Sequence, residues 1–399
     1  MTKEEKKIKI SELKLKAESL KKDVEYYNAL QLALKLVLNG SYGAFAAPYF
    51  ILFNNHVAGT ITAEGRNLTQ TMNKVNEDYW YEQWHLDTEL HQAMNLKNVT
   101  PIPRSEEVSI YADTDSLFVS FKPAMDHCEW RHQYKDELEF IHALDKNRYA
   151  GYFKKCLDEH ASTYGVENKQ DFELERISES IISIAKKKYI QHIVYEDGIP
   201  YDRLTYIFPK GVELVRSSTP LFARDKIVGI VKYLFEHPDT FNIKELLRLV
   251  KNLKKEFDLC VPDRIDEICM QSSCSKYNEK VLDDKVKLNF VNGAHFAVKA
   301  SAYHNFLLHK NKELQTKYEF IKTGDKIKYY YCKDKSQNDV FAFIRGSYPI
   351  EFAPQIDYDE QFDKSILSPV NSIIEPLGMP EITKRLSVVM DIFGGRGGF

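Results

Sequence analysis

The sequence reads as an α+β protein, and two observations lead there. Long stretches free of Gly and Pro carry helical periodicity, and short arms with period-two alternation lie close enough together to pair as antiparallel hairpins. No internal repeat or low-complexity segment breaks that alternation.

From about Lys3 to Leu38 the pattern is helical, with Ile10, Leu13, Ala17, Leu20, Val24, Tyr27, Gln31 and Leu34 at alternating spacings of three and four. This is a coiled-coil seam broken only at Gln31, and a stripe so narrow needs another helix to lie against. The following NGSYGAFAAPYF reads as a Gly- and Pro-punctuated turn. A second helix is expected from Thr60 to about Trp84, then a hairpin in SIYADTDSLFVSF, then helix from about Asp136 to Tyr164. Strands follow in SIISIAKKKYIQHIVYED and RLTYIFPKGVELV. Thr219 reads as an N-cap and Pro220 as the first residue of a helical region that runs through NIKELLRLVKNLKKEF. The remainder is mixed and aromatic up to a tail ending VVMDIFGGRGGF.

Composition bounds the function. With 55 basic and 58 acidic residues the formal net charge is −3 over 399 residues, so contact with a nucleic acid must come from local basic clusters. The chain is long enough for two or three domains, and its 13% aromatic share favours packed cores over disorder. No apolar run could span a bilayer, and the charged start MTKEEKKIKI has no signal-peptide core, so the expected location is the cytoplasm, that of a host cell if the protein is viral. Cys128, Cys156, Cys260, Cys269, Cys274 and Cys332 form no C-x-x-C pair and no repeated spacing with His, which argues for reduced thiols over a zinc site.

Three stretches carry chemistry. Asp113 and Asp115 stand one residue apart at the hairpin tip, between arms that look half or fully buried. Aspartate is a favoured turn residue, but a rigid hairpin holding two carboxylates also suits a hard, oxygen-seeking cation. Metal-dependent sugar-nucleotide transferases and nucleic-acid polymerases both use such a tip. In KLVLNGSYG, Lys35 and Asn39 share a helix face with Tyr42 just past its end, an arrangement able to grip a polyphosphate or merely to end a helix. In AKKKYIQ, Lys186, Lys187 and Lys188 precede Tyr189 in an otherwise apolar strand, so at least one face is cationic. That face is either a solvated edge guard or a groove that tracks phosphates.

Taken in order, KLVLNGSYG, YADTDS and KKKY resemble the finger-helix K-x-x-x-N-S-x-Y-G, the palm Y-x-D-T-D-S and the K-K-x-Y element of the family B DNA polymerases. GVELVRSSTP and NGAHFAVKASAYHN look like the thumb of the replicative polymerases of large tailed bacteriophages. Gly40 departs from the family pattern, which has Ser there. The resemblance implies a right-hand polymerase arrangement: fingers over 1–47, palm over 48–210 and thumb over 211–399. It implies that Asp115, supported by Asp113, holds two catalytic Mg2+ ions, and that Lys35, Asn39 and Tyr42 hold the incoming dNTP. Lys186, Lys187, Lys188 and Tyr189 would face the minor groove of primer-template DNA, where every correct pair shows nearly the same acceptors.

The family's first metal aspartate, in D-x-x-S-L-Y-P-S, is not found upstream of Lys35. The expectation is therefore a naturally split polymerase, active with an N-terminal polymerase/exonuclease chain, which would lie against Leu13, Leu20, Val24, Tyr27 and Leu34. The rival is a non-catalytic DNA-binding or scaffolding protein derived from a polymerase. Met390, Ile392 and Phe393, ahead of a Gly-rich end, resemble a peptide that binds a sliding clamp.

Overall fold

The structure, a computed structural model, describes residues 3–202, 204–212, 218–238, 240–260 and 264–387. Met390, Ile392 and Phe393 of the clamp-like tail lie outside the described residues. The fold is α+β, with helices and antiparallel sheets, and the chain divides into two compact units, residues 1–174 and 175–399. The division falls inside the stretch read as palm, so the sheet around KKKY clusters with the residues after it.

In the first unit, α1 (Lys3–Phe45) runs seven residues beyond the expected end at Leu38. Gly40 and Gly43 lie inside it, and the Ser41 hydroxyl donates to the Val37 carbonyl at 2.8 Å. A glycine costs a helix only about 1 kcal/mol, whereas Pro48 imposes a real stop, because the residue before a proline is driven away from helical geometry. NGSYGAF is therefore helix and not turn, and Tyr42 is not past the end. α2 (Asn55–Asp78) starts earlier than Thr60 because Asn54 caps it, accepting bonds from the amides of His56 and Val57. Past Asp78 the chain continues as a π turn, Tyr79–Gln83, and a 3-10 turn, Trp84–Leu86. The hairpin strands are β1 (Ser109–Asp113) and β2 (Ser116–Val119), and the helices Glu137–Leu144 and Ala150–Thr163 follow. An aromatic core ties the turn after α2 to the segments that follow: Trp80 lies 5.6 Å from Tyr149 and 5.8 Å from Phe121 between ring centroids, and Tyr149 lies 4.8 Å from Phe153 of the Ala150–Thr163 helix.

In the second unit, β3 (Arg176–Ala185) pairs antiparallel with β4 (Lys188–Glu196), which also pairs with β5 (Ile199–Pro200) and β6 (Tyr206–Lys210). Ile182 and Ile190 of that sheet join Ile227, Val231, Leu246, Val250, Phe257, Tyr330, Phe341 and Phe362 in one buried cluster. The helix after SSTP begins at Leu221, with Pro220 itself as the cap residue; its extended ψ of 146° keeps it out of the helix, so Thr219 is not the N-cap. A second sheet orders Val340–Ile344, Lys326–Tyr331 and Met270–Ser273, all antiparallel. All six cysteines are unbridged thiols, and among the described residues no helix is long and apolar enough to cross a membrane.

Candidate active site

Register decides the shape of the aspartate tip. Tyr111 stands opposite Phe118, Ala112 opposite Leu117 and Asp113 opposite Ser116, which leaves Thr114 and Asp115 as a two-residue loop. Of these two only Thr114 has a positive φ, 58°. Glycine is the favoured residue at the first position of such a loop, and a β-branched side chain there stores about 1–3 kcal/mol of backbone strain. The Asp115 amide donates to the Asp113 carbonyl at 2.6 Å. The Thr114 hydroxyl donates to Asp113 Oδ1 at 3.2 Å, and the Ser116 hydroxyl donates to the Asp113 carbonyl at 3.1 Å. Asp113 is half-buried and oriented by these contacts, while Asp115 is exposed.

Helix α2 braces both ends of the hairpin. At the tip, Thr69 donates from Oγ1 to the Thr114 carbonyl at 2.5 Å. At the root, the fully buried Asn76 donates from Nδ2 to Ser109 Oγ at 2.7 Å, while its Oδ1 accepts from Trp80 Nε1 at 2.9 Å and from the Tyr149 hydroxyl. Neither residue is singled out by motif. Asn76 did leave a signal, as a polar side chain four residues after Met72 and four before Trp80, inside a stripe that is otherwise buried and apolar. Thr69 left none.

One expectation for the hairpin fails. Ile110 is 43% exposed and Ala112 is also exposed, so this face of β1 is uncovered. The sheet has two strands, and apolar alternation marks a face for burial without supplying the layer that covers it. The two carboxylates suit a divalent cation in kind, as oxygen ligands on a fixed turn. Among the described residues, however, no group of three or more His, Cys, Asp or Glu side chains gathers as a metal site. The pair therefore fits as part of a ligand set.

Because α1 continues past Gly40, Tyr42 falls seven residues from Lys35, and Lys35, Asn39 and Tyr42 form one exposed stripe at i, i+4 and i+7. The anticipated pair thus becomes a row of three. The helix leaves Leu13, Leu20, Val24, Tyr27 and Leu34 each more than half exposed, and Leu32, Leu36, Val37 and Leu38 are exposed as well. Beyond it Tyr49 and Ile51 lie fully open, in a run of exposed apolar residues from Tyr49 to Phe53.

In the second unit only Lys188 of the three lysines lies on a strand, as the first residue of β4. Ala185 pairs with Lys188, so Lys186 and Lys187 form the turn between β3 and β4, with Lys187 at φ 61°. All three lysines are exposed, and Tyr189 is buried with Lys210 Nζ 5.7 Å from its ring centroid. Alternating apolar residues on both sides disguised the turn, because Lys-Lys carries none of the Gly, Asn or Asp chemistry that marks a hairpin. The turn is packed from below by Gly211, which has φ 69°; a Cβ there would stand 2.1 Å from the Lys187 carbonyl oxygen. A cavity of about 320 Å3 lies within this same unit, lined by Thr219, Gln271, His295, Phe296, Tyr329 and Lys364 among others; neither aspartate lines it.

Residues 3–131 and 143–377 match the family model described as DNA polymerase family B. The chain belongs to family B of the DNA polymerases. Among curated relatives, the DNA polymerase catalytic subunit of human herpesvirus 7 is 25% identical over 363 residues, 87% of this chain and 32% of that protein. The catalytic subunit of psittacid herpesvirus 1 is 27% identical over 209 residues, 52% of this chain and 16% of its own length. DNA polymerase 1 of the archaeon Aeropyrum pernix is 27% identical over 230 residues, 57% of this chain and 17% of that polymerase. This family B chain thus spans about a third or less of the relatives it matches.

Proposed function

We propose that the chain carries out template-directed DNA synthesis as the C-terminal part of a family B polymerase, as the sequence motifs and the phage-like thumb suggest. The observation that carries this reading is the strained, α2-braced loop that presents Asp113 and Asp115, in a chain of this family. Divalent ions held by the aspartate tip would supply charge stabilisation for the attacking primer 3′-oxygen and for the leaving pyrophosphate. Asp115, exposed at the tip, would be the ligand that reaches them; Asp113, oriented by Thr114, would support it. Lys35 and Asn39 offer a charge and an amide to the triphosphate, and Tyr42 continues that row towards the nascent base pair.

The ligand set is completed by a partner polypeptide that carries the first metal aspartate and the exonuclease domain. What supports a partner is the uncovered apolar length of α1, since exposed apolar surface on this scale marks an interaction site. Asp115 and a carboxylate on another chain can share ions only if the interface holds them to within about 0.5 Å. The purified chain should therefore show no nucleotide incorporation with Mg2+, and mixing with that partner should give a one-to-one complex that extends primers. Changing Leu20 and Tyr27 to Glu should weaken the complex at least about tenfold by sedimentation, while residual complex keeps its turnover. Primer extension by the chain alone would refute the two-chain form, and a stable complex that binds DNA without extending it would favour the scaffolding alternative.

Lys186, Lys187 and Lys188 are proposed to hold the newly made duplex, and a C-terminal peptide including Met390, Ile392 and Phe393 to hold a sliding clamp. Replacing the three lysines with Ala should weaken primer-template binding and flatten its salt dependence, by about one unit of slope for each phosphate that is no longer neutralised. A titration between 50 and 200 mM salt reads this directly. An unchanged slope would make the lysines a solvated turn.

A further inference from the structure

We propose that Thr69 and Asn76 are positioning residues for the aspartate tip, Thr69 fixing the peptide between the two carboxylates and Asn76 fixing the root of the strand that leads to them. The proposal rests on the reading of Asp113 and Asp115 as metal ligands and assigns to α2 the work of setting their geometry.

The tip needs an external restraint. Thr114 holds a positive φ that its β-branched side chain disfavours, and a two-residue loop has few internal bonds with which to enforce it. Its carbonyl points to Thr69 Oγ1, at 2.5 Å. The Thr69 hydroxyl has a single proton and two acceptors in reach, the Gly65 carbonyl at 2.9 Å and the Thr114 carbonyl at 2.5 Å. The Gly65 carbonyl already lies opposite the Thr69 amide in the helix ladder, whereas the loop carbonyl lies outside the β1–β2 register. The loop carbonyl, as the less satisfied acceptor, gains more from the proton than the Gly65 carbonyl does.

That bond fixes the plane of the Thr114–Asp115 peptide. Since a peptide is rigid and only φ and ψ turn, fixing this plane fixes the Asp115 Cα and the N–Cα bond on which its side chain turns, leaving φ as the one backbone angle that still aims it. Asn76 stands seven residues further along α2, two turns on and on the same face. Its amide is spent on Ser109, Trp80 and Tyr149, so the strand root is tied to the aromatic core while the tip is tied to the helix. Positioning of this kind matters because a ligand displaced by about 1 Å can reduce rate by about two orders of magnitude.

The test compares Thr69→Val, which keeps the volume and loses the hydroxyl, with Thr69→Ser, which keeps the hydroxyl. Hydrogen–deuterium exchange is followed in the full chain on peptides covering 109–119, with the Ala150–Thr163 helix as internal reference. Removing one such bond should speed exchange at the tip about threefold to tenfold in the valine variant, leave the serine variant near wild type and leave the reference unchanged. In the assembly that extends primers, the valine variant should raise the Mg2+ concentration for half-maximal extension by a similar factor without changing primer-template affinity. Tip exchange at the wild-type rate in the valine variant, equal acceleration in the serine variant, or acceleration of the reference helix would each overturn the proposal. Exchange reports on the tip whether or not the chain is a polymerase, so a loosened tip beside a fully active Asp115→Ala enzyme would leave the positioning contact standing and remove the metal-ligand reading.

Discussion

Replacing Asp115 by Ala should lower primer extension by about two to four orders of magnitude in the active assembly, with primer-template affinity changed by less than about twofold. The size follows from what a metal ligand supplies: charge stabilisation worth several kcal/mol at the reacting phosphate, where each 1.36 kcal/mol is about tenfold in rate. The side chain is exposed at the loop, so its removal should not unfold the unit; surface changes of this kind usually stay within about 0.5 kcal/mol. Asp115→Asn, which keeps the shape and loses the charge, should fall nearly as far. Single-turnover extension and a binding titration separate the two effects. A near wild-type rate in either variant would mean that the loop is a turn and nothing more.

The second large effect is expected at Gly211. An added Cβ would stand 2.1 Å from the Lys187 carbonyl oxygen, a backbone atom, and the φ of 69° already disfavours any L side chain. The conformational part alone costs about 1–2 kcal/mol. The collision adds to it, because relief requires the Lys186–Lys187 turn or the end of β6 to shift. Gly211→Ala should therefore destabilise the second unit by more than about 2 kcal/mol in denaturant unfolding and weaken duplex binding together with it. If binding falls while stability holds, the turn has moved without loosening the sheet. Wild-type behaviour in both measurements would show that the close approach to Lys187 does not constrain the chain.

Much of this was legible in the sequence, for reasons that differ from place to place. The hairpin around Asp113 and Asp115 was readable because alternation and turn chemistry agree there. The end of α1 is not legible from Gly40 and Gly43, which punctuate like stops but lie inside the helix, because only Pro48 is a stop. The lysine turn was hidden because nothing in Lys-Lys announces a positive φ; the restraint sits 24 residues away in Gly211. The contacts of Thr69 and Asn76 belong to the same class of information: periodicity marks Asn76 as a polar residue in a buried stripe, but the long-range partner of neither is readable from it. Residue types locate the chemistry, and tertiary contacts decide how rigidly it is held.

The long helix α1 has a meaning for the cell as well as for the active site. At 43 residues it extends about 64 Å, and along that length it shows the kind of apolar surface that chaperones and proteases recognise on unfinished proteins. On the proposed two-chain reading, any copy made in excess of the partner that covers α1 would be an orphan and a substrate for clearance. The amount of this chain that accumulates would then be set by the supply of that proposed partner and not by its own rate of synthesis.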